Sequence, residues 1–254
     1  MNSSKYVLLV EYDGTHYHGF QWQAGLPTIQ DELEKAVKKF CGWSSRVMAA
    51  GRTDAGVHAK GQVAGFRAKP GLSPTTLVKA LNYYLPGDIT VKTANIANDD
   101  FNVRGDALSR EYHYYILNRN MPSPFTRRFA LFVPKMLNIE VMNEACQLIQ
   151  GEHDFISFTS SLDTKSTTRY VYEAKVGKKE DFVIFRMIAN SFLPHQVRHT
   201  LGLLLRLGLG KIDSRDFHDI MEARSLGLAS PVAPPHGLCL MKVNYPESLG
   251  ALVN

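Results

Sequence analysis

Strand-like and helix-like stretches alternate along this chain in an order that occurs twice, and few architectures accommodate that repetition. Residues 5–12, Lys-Tyr-Val-Leu-Leu-Val-Glu-Tyr, are strand formers that stop at Asp13-Gly14, a strong turn pair. Between 28 and 40, Ile29, Leu33, Ala36, Val37 and Phe40 fall at helical spacing. Thr28 stands where an N-cap belongs, and Asp31 and Glu32 occupy the first turn, where the helix dipole favours acids. Residues 46–50 and 62–68 read as short strands around a glycine-bounded loop. Ser73-Pro74 starts a second helix with Leu77, Ala80, Leu81 and Tyr84 on one face, Pro86-Gly87 ends it, and residues 89–96 supply a fourth strand. From residue 111 the order repeats with longer insertions. It runs through a strand at 111–118, a helix at 139–149, and strands at 169–176 and 182–188 around a Gly177-Lys178-Lys179 turn. A long helix at 197–207, a shorter one at 214–223 and a last strand at 238–243 complete it.

Each β-α-β-β-α-β set is a split βαβ arrangement, which gives a four-stranded antiparallel sheet with helices on one face. The expected fold is therefore α+β: two RRM-like halves, residues 1–105 and 106–254, with their sheets joined into one extended mixed sheet, helices on one face, and a cleft between the halves. With 44% hydrophobic and 21% charged residues, the chain can bury a core, which excludes a disordered class. The apolar run 201–205 meets Arg206, far short of the roughly 20 residues of a membrane-spanning helix. Residues 6–10 are broken by Glu11 and read as a first strand, not an export signal. Cys41, Cys146 and Cys239 lack paired spacing, so neither a disulfide framework nor a zinc site is expected, and a cytoplasmic setting fits. A formal net charge of +5 suits a polyanionic partner, yet the excess is spread evenly and forms no dense basic run.

Two stretches carry chemistry. In Ala50-Gly51-Arg52-Thr53-Asp54-Ala55-Gly56-Val57-His58-Ala59, small residues surround one arginine and one carboxylate. The glycines permit tight backbone and close approach of a ligand, although Asp-Ala-Gly is also ordinary turn chemistry. The second, residues 189–199, leads into the long apolar helix and puts Arg198 on its first turns, either as a solvated helix arginine or as the partner of a carboxylate. His195 and His199 have the spacing of a metal pair on a helix, but no glutamate lies between them and no third ligand is evident. The aromatic run Tyr112-His113-Tyr114-Tyr115 suits stacking on bases, while strand alternation assigns half of it to the core. From the residues alone, a non-catalytic RNA-binding module and a metal-dependent hydrolase using His195 and His199 both stand as alternatives to an enzyme built on Asp54.

The segment 51–59 resembles the signature loop of the TruA family of tRNA pseudouridine synthases. The likeness extends to nearly the whole chain, in order: Tyr12-Asp13-Gly14-Thr15 with Phe20-Gln21-Trp22-Gln23, Arg110-Glu111-Tyr112-His113-Tyr114, Gly151-Glu152-His153-Asp154-Phe155 as a turn, Asn190-Ser191-Phe192-Leu193, Val197-Arg198, and Ala233-Pro234-Pro235-His236-Gly237-Leu238. One departure is Pro194-His195-Gln196-Val197-Arg198-His199, where bacterial members more typically have His-His-Met-Val-Arg-Asn. The resemblance implies isomerisation of uridine to pseudouridine at positions 38, 39 and 40 of the tRNA anticodon stem-loop, by a homodimer that uses neither metal nor small-molecule cofactor. It implies Asp54 as the catalytic carboxylate and Arg198 as its cation. By the same likeness Arg52 fills the space left by the flipped base, Tyr112 stacks on the uracil and Leu238 packs on its other side. Lys35, Lys38, Lys39, Arg127 and Arg128 are consistent with phosphate contacts along a large RNA.

Overall fold

The computed structural model describes residues 3–161 and 166–250. The chain forms two compact units: the residues up to Arg110 together with those from Cys239 onward, and residues 111–238. None of the described helices is long and apolar enough to cross a membrane.

The first unit contains β1 (Ser4–Tyr12), α1 (Ile29–Cys41), β2 (Met48–Ala49), β3 (His58–Ala68), α2 (Pro74–Tyr84) and β4 (Ile89–Ala97), the order legible in the sequence. β1 lies between β4 and β3 and is antiparallel to both, and β2 is antiparallel to β3. α1 forms where its caps dictate. The Thr28 hydroxyl accepts from the Asp31 N–H, Gly42 closes the helix at φ 80°, and Lys38 and Lys39 occupy the last turn. Its buried face is Ile29, Leu33, Ala36 and Val37, and each of the larger three contributes about 1.5–3 kcal/mol by leaving water. In α2, Leu77 and Leu81 are buried, but Tyr84, expected on the same face, is exposed beneath the Lys39 ammonium, 5.8 Å from the ring centre. The sheet is covered on its other face as well. Lys5 Nζ donates to Asp99 O and Phe101 O (2.6 and 2.7 Å), and Phe101 packs on Tyr245 with ring centres 5.4 Å apart. Val103 fills the space over Gly65. Val7 and Leu8, adjacent in β1 and so on opposite faces, are both fully buried.

The strand read at 238–243 is β10 (Leu238–Asn244). It runs parallel to β3, pairing Cys239 with His58 and Leu240 with Ala59, and so falls almost wholly in the first unit, not in a half beginning at 106. An apolar run identifies a strand without naming its neighbour.

The second unit orders β5 (Ser109–Leu117), β9 (Phe182–Ala189), β8 (Thr168–Lys179) and β7 (Gly151–Asp154) side by side, with β6 (Leu131–Phe132) parallel to β5. β7, read as a turn, is a strand antiparallel to β8, and residues 156–158 follow it as one 3₁₀ turn. The β8–β9 ladder runs on to Lys179 opposite Phe182, which makes Glu180-Asp181 the hairpin loop. Gly177 is paired with Ile184 inside the ladder instead of turning the chain. Glu180 takes φ 54°, the positive value that a two-residue hairpin favours. α3 (Ile139–Leu148) packs on β8, and α4 (Gln196–Gly208) packs on α3 with most of its length buried. α5 (Ser214–Glu222) begins with a full capping box between Asp213 and Asp216. α6 (Glu247–Gly250) follows β10.

Candidate active site

Asp54 sits half-buried in the loop between β2 and β3, and the loop is fixed from three sides within the first unit. Ala50 N–H donates to Val63 O (2.9 Å), while Ala50 O accepts from Arg110 Nη2 and Nε (2.8 and 3.3 Å). Gly51 O accepts from Gln62 Nε2 (2.7 Å), and the hydroxyls of Thr53 and Tyr12 share a 2.8 Å hydrogen bond. Burial raises the Tyr12 phenol well above its ordinary pKa, so it serves the loop as a neutral hydroxyl.

The third side is the segment between β1 and α1. Phe20 N–H donates to Thr53 O (3.0 Å), and Gly56 N–H donates to Tyr17 O (3.2 Å). Within the loop, Val57 N–H donates to Asp54 O (3.1 Å), closing a turn around the aspartate. Two glycines make this approach possible. A Cβ on Gly14 would lie 2.0 Å from Val57 O, and one on Gly19, which also has φ 88°, would lie 2.6 Å from Thr53 O. Asp13 organises the same corner, accepting from Thr15 N and Oγ1 (2.9 and 2.5 Å). His58 Nδ1 stands 3.1 Å from both Asp13 Oδ1 and Gly14 N. The motifs 12–15, 20–23 and 51–59, distant in sequence, thus form one structure that holds a carboxylate on a rigid turn. Arg52 is exposed in that loop.

The second unit gathers the other motifs. Tyr112 is buried on β5, with the Phe192 ring edge-on at 5.3 Å and 87°. Two residues along, on the same face, the Tyr114 hydroxyl donates to Pro234 O (2.7 Å). Arg198, half-buried in the first turn of α4, donates from Nε to Ala233 O (2.8 Å) and accepts at its own backbone oxygen from Ala233 N (3.1 Å). Segment 233–238 is therefore tied to both β5 and α4. Its 3₁₀ turn at 235–237 delivers Leu238, which is buried. Tyr112, Arg198 and Leu238 belong to one framework, and Arg52 and Asp54 to the other.

Two residues of these frameworks, Arg110 and Phe192, make contacts that the sequence does not announce. Arg110 was legible only as part of a strand motif, yet its buried guanidinium also donates to Ala107 O and Arg104 O (3.0 and 2.8 Å). Phe192 is an aromatic two residues before a proline, a setting that gives no sign of the ring it meets.

Each histidine of the pair is held through its own Nδ1. His195 caps α4 at φ 61° and its Nδ1 lies 2.6 Å from Ser160 Oγ. His199 Nδ1 is 2.6 Å from Ala229 O, where it is the donor, and Nε2 is buried. Burial lowers the His199 pKa, helped by His195 and Arg198 and opposed by the bond to Ala229, so the ring is neutral near pH 7. Among the described residues, no three His, Cys, Asp or Glu side chains come together to hold a metal ion. Of the lysines read as phosphate contacts, Lys35 is engaged by Asp31 and Glu32 (2.7 and 2.8 Å).

The family model described as "tRNA pseudouridine synthase" matches residues 8–105 and 145–246. The "tRNA pseudouridine synthase A" of Thermoanaerobacter sp. (strain X514) is 41% identical over 240 residues, covering 94% of this chain and 98% of its own. That of Methylacidiphilum infernorum (isolate V4) is 40% identical over 243 residues, 95% of each chain. That of Roseiflexus sp. (strain RS-1) is 41% identical over 245 residues, 95% of this chain and 90% of its own. Since the family model matches most of the chain and relatives at 40–41% identity span nearly all of it, the chain belongs to the tRNA pseudouridine synthase family.

Proposed function

We propose that the chain isomerises uridine to pseudouridine at positions 38, 39 and 40 of the tRNA anticodon stem-loop, acting in the cytoplasm as a homodimer. The observation that carries this reading is family membership over nearly the full chain, with Asp54 held on a loop that three neighbouring segments clamp.

The reaction breaks the bond from uracil N1 to ribose C1′, turns the base and joins C5 to C1′. N1 gains a proton and C5 loses one, so nothing is oxidised and the product is an isomer. Attack at C1′, addition to the base and removal of a ribose proton all start from an ionised carboxylate, the role of Asp54. A site that excludes water disfavours that charge, and Arg198 offsets it. A guanidinium bonds a carboxylate through two parallel N–H groups and stays protonated when desolvated. Its anchoring through Nε to Ala233 O favours a fixed approach of the remaining N–H groups.

A base inside a stem has to be turned out before a side chain can reach it, at a cost of a few kcal/mol. Arg52, exposed on the loop, fills the vacated space, Tyr112 stacks on the uracil and Leu238 packs on its far side. Stacking on an aromatic ring contributes about 1–3 kcal/mol per base and offsets much of the flipping cost. The Phe192 edge fixes the plane of Tyr112 beforehand, so little ring freedom is lost when the base arrives.

Incubation with unmodified tRNA is expected to yield a mass-neutral uridine product that keeps a carbodiimide adduct through alkali. Asp54→Ala is expected to bind the tRNA and leave it unmodified. Normal product from Asp54→Ala would exclude the assigned chemistry.

A further inference from the structure

Between Glu111 and Glu140 the chain carries no carboxylate, yet it includes Arg119, Arg127, Arg128 and Lys135. This stretch contains an excursion from the end of β5 that falls between the two parts matched by the family model. Its base is rigid. Asn118, buried, donates from Nδ2 to Val133 O and Lys135 O (2.8 Å each) and accepts at Oδ1 from Leu137 N (3.2 Å), joining outgoing and returning chain. β6 then pairs with β5 through Ile116–Leu131 and Leu117–Phe132, and Arg119 is tied to Asp181 at 3.0 Å.

The tip has the opposite character. Phe125 lies between Pro124 and a turn in which Phe129 and Ala130 N–H donate to Thr126 O (2.8 and 2.9 Å), and it is 91% exposed. Met121 and Phe129 nearby are exposed too. Arg127 is exposed, with no hydrogen-bond or ion-pair partner among the described residues. An ordered turn that points a phenyl ring into water beside an uncompensated guanidinium does nothing for the packing of its own unit. Its chemistry matches a strand of nucleic acid, whose bases stack on rings and whose phosphates take arginine.

We propose that residues 119–136 form an RNA-docking arm in which Phe125 stacks on an unpaired base and Arg127 bonds an adjacent phosphate. The proposal rests on the reading of tRNA as substrate and adds a contact apart from the residues assigned to the uridine itself. Rings interleaved with arginines, and the absence of any acid across the stretch, favour RNA over an apolar partner.

The test measures Kd for a tRNA transcript, by filter binding across a salt series, for the full chain and for Phe125→Ala, Phe125→Trp and Arg127→Ala. All three changes are on exposed side chains and leave the fold intact, which circular dichroism checks. Phe125→Ala is expected to weaken binding about 5- to 150-fold, while Phe125→Trp retains it. Arg127→Ala is expected to reduce the slope of log Kd against log salt by about one. Binding within twofold of wild type for Phe125→Ala, with an unchanged salt slope for Arg127→Ala, overturns the proposal. So does a Phe125 dependence seen only in sedimentation of the free protein or in binding to anionic vesicles. Because Kd is read without turnover, wild-type protein that binds tRNA through this arm but makes no pseudouridine would refute the activity and leave the arm standing.

Discussion

Replacing Gly14 by alanine tests whether the Asp54 loop owes its position to the segment packed against it. The added Cβ would lie 2.0 Å from Val57 O and 2.7 Å from Val57 C, both backbone atoms that cannot swing aside. A comfortable carbon–oxygen contact is about 3.3 Å, so the two segments have to part by about 1.3 Å. Val57 N–H closes the turn onto Asp54 O, and the displacement therefore reaches the Asp54 loop directly. A misplacement of about 1 Å can cost 10²-fold in rate, and overpacking costs about 1–3 kcal/mol. For a chain of this size that corresponds to a Tm lower by about 2–12 °C. Initial rates of pseudouridine formation at saturating tRNA, at a temperature where calorimetry shows both proteins folded, are expected to give kcat reduced about 100-fold. Gly87→Ala is the control, since a Cβ there meets nothing within 4 Å. It is expected to keep its rate and change stability by less than about 1 kcal/mol. A Gly14→Ala enzyme with lower Tm but kcat within threefold of wild type would refute the claim that this contact positions the loop.

Asn118→Ala removes three hydrogen bonds, two of them buried, and leaves their backbone partners without it. Urea denaturation of the full chain should show a loss of about 2–4 kcal/mol. Acidification should weaken the fold through His199, because its folded pKa is depressed by burial and its protonation favours the unfolded chain. The contribution is present above the ordinary imidazole value of about 6.5 and is lost as the pH falls from there toward the depressed one. His199→Asn should flatten the drop in denaturation midpoint between pH 7 and pH 5, and an unaltered drop would assign the acid sensitivity elsewhere.

Much of the first unit was legible because its signals are local. Thr28, Asp31 and Glu32 start α1 by capping and dipole, Pro74 opens α2, and Asp13-Gly14 ends β1, all without reference to distant chain. The failures have a common origin in partners remote in sequence. β10 looked like the last strand of a second repeat, and nothing in Leu-Cys-Leu-Met-Lys-Val-Asn states that it pairs with His58 and Ala59. Gly177 carried the stronger turn signal, but the ladder passed through it and Glu180 took the positive φ. β7 was hidden because four residues of Gly-Glu-His-Asp have too little apolar alternation to announce a strand. At the candidate site, Arg52 and Asp54 stand out by residue type, while Gly14 and Gly19 act by shape and Arg110 by hydrogen bonds to backbone carbonyls. Composition does not disclose that kind of role.

The pairing of β3 with β10 sets an order of events on the ribosome. His58 and Ala59, which follow directly from the Asp54 loop, are synthesised long before Cys239 and Leu240, so part of that strand edge stays open while the whole second unit emerges. A nascent first unit therefore spends that interval with exposed peptide groups available to other strands, and chaperone shielding in this window would serve it most. Chains terminated before residue 239 would never leave that state. The enzyme thus completes the strand beside its aspartate only after the second unit has been made.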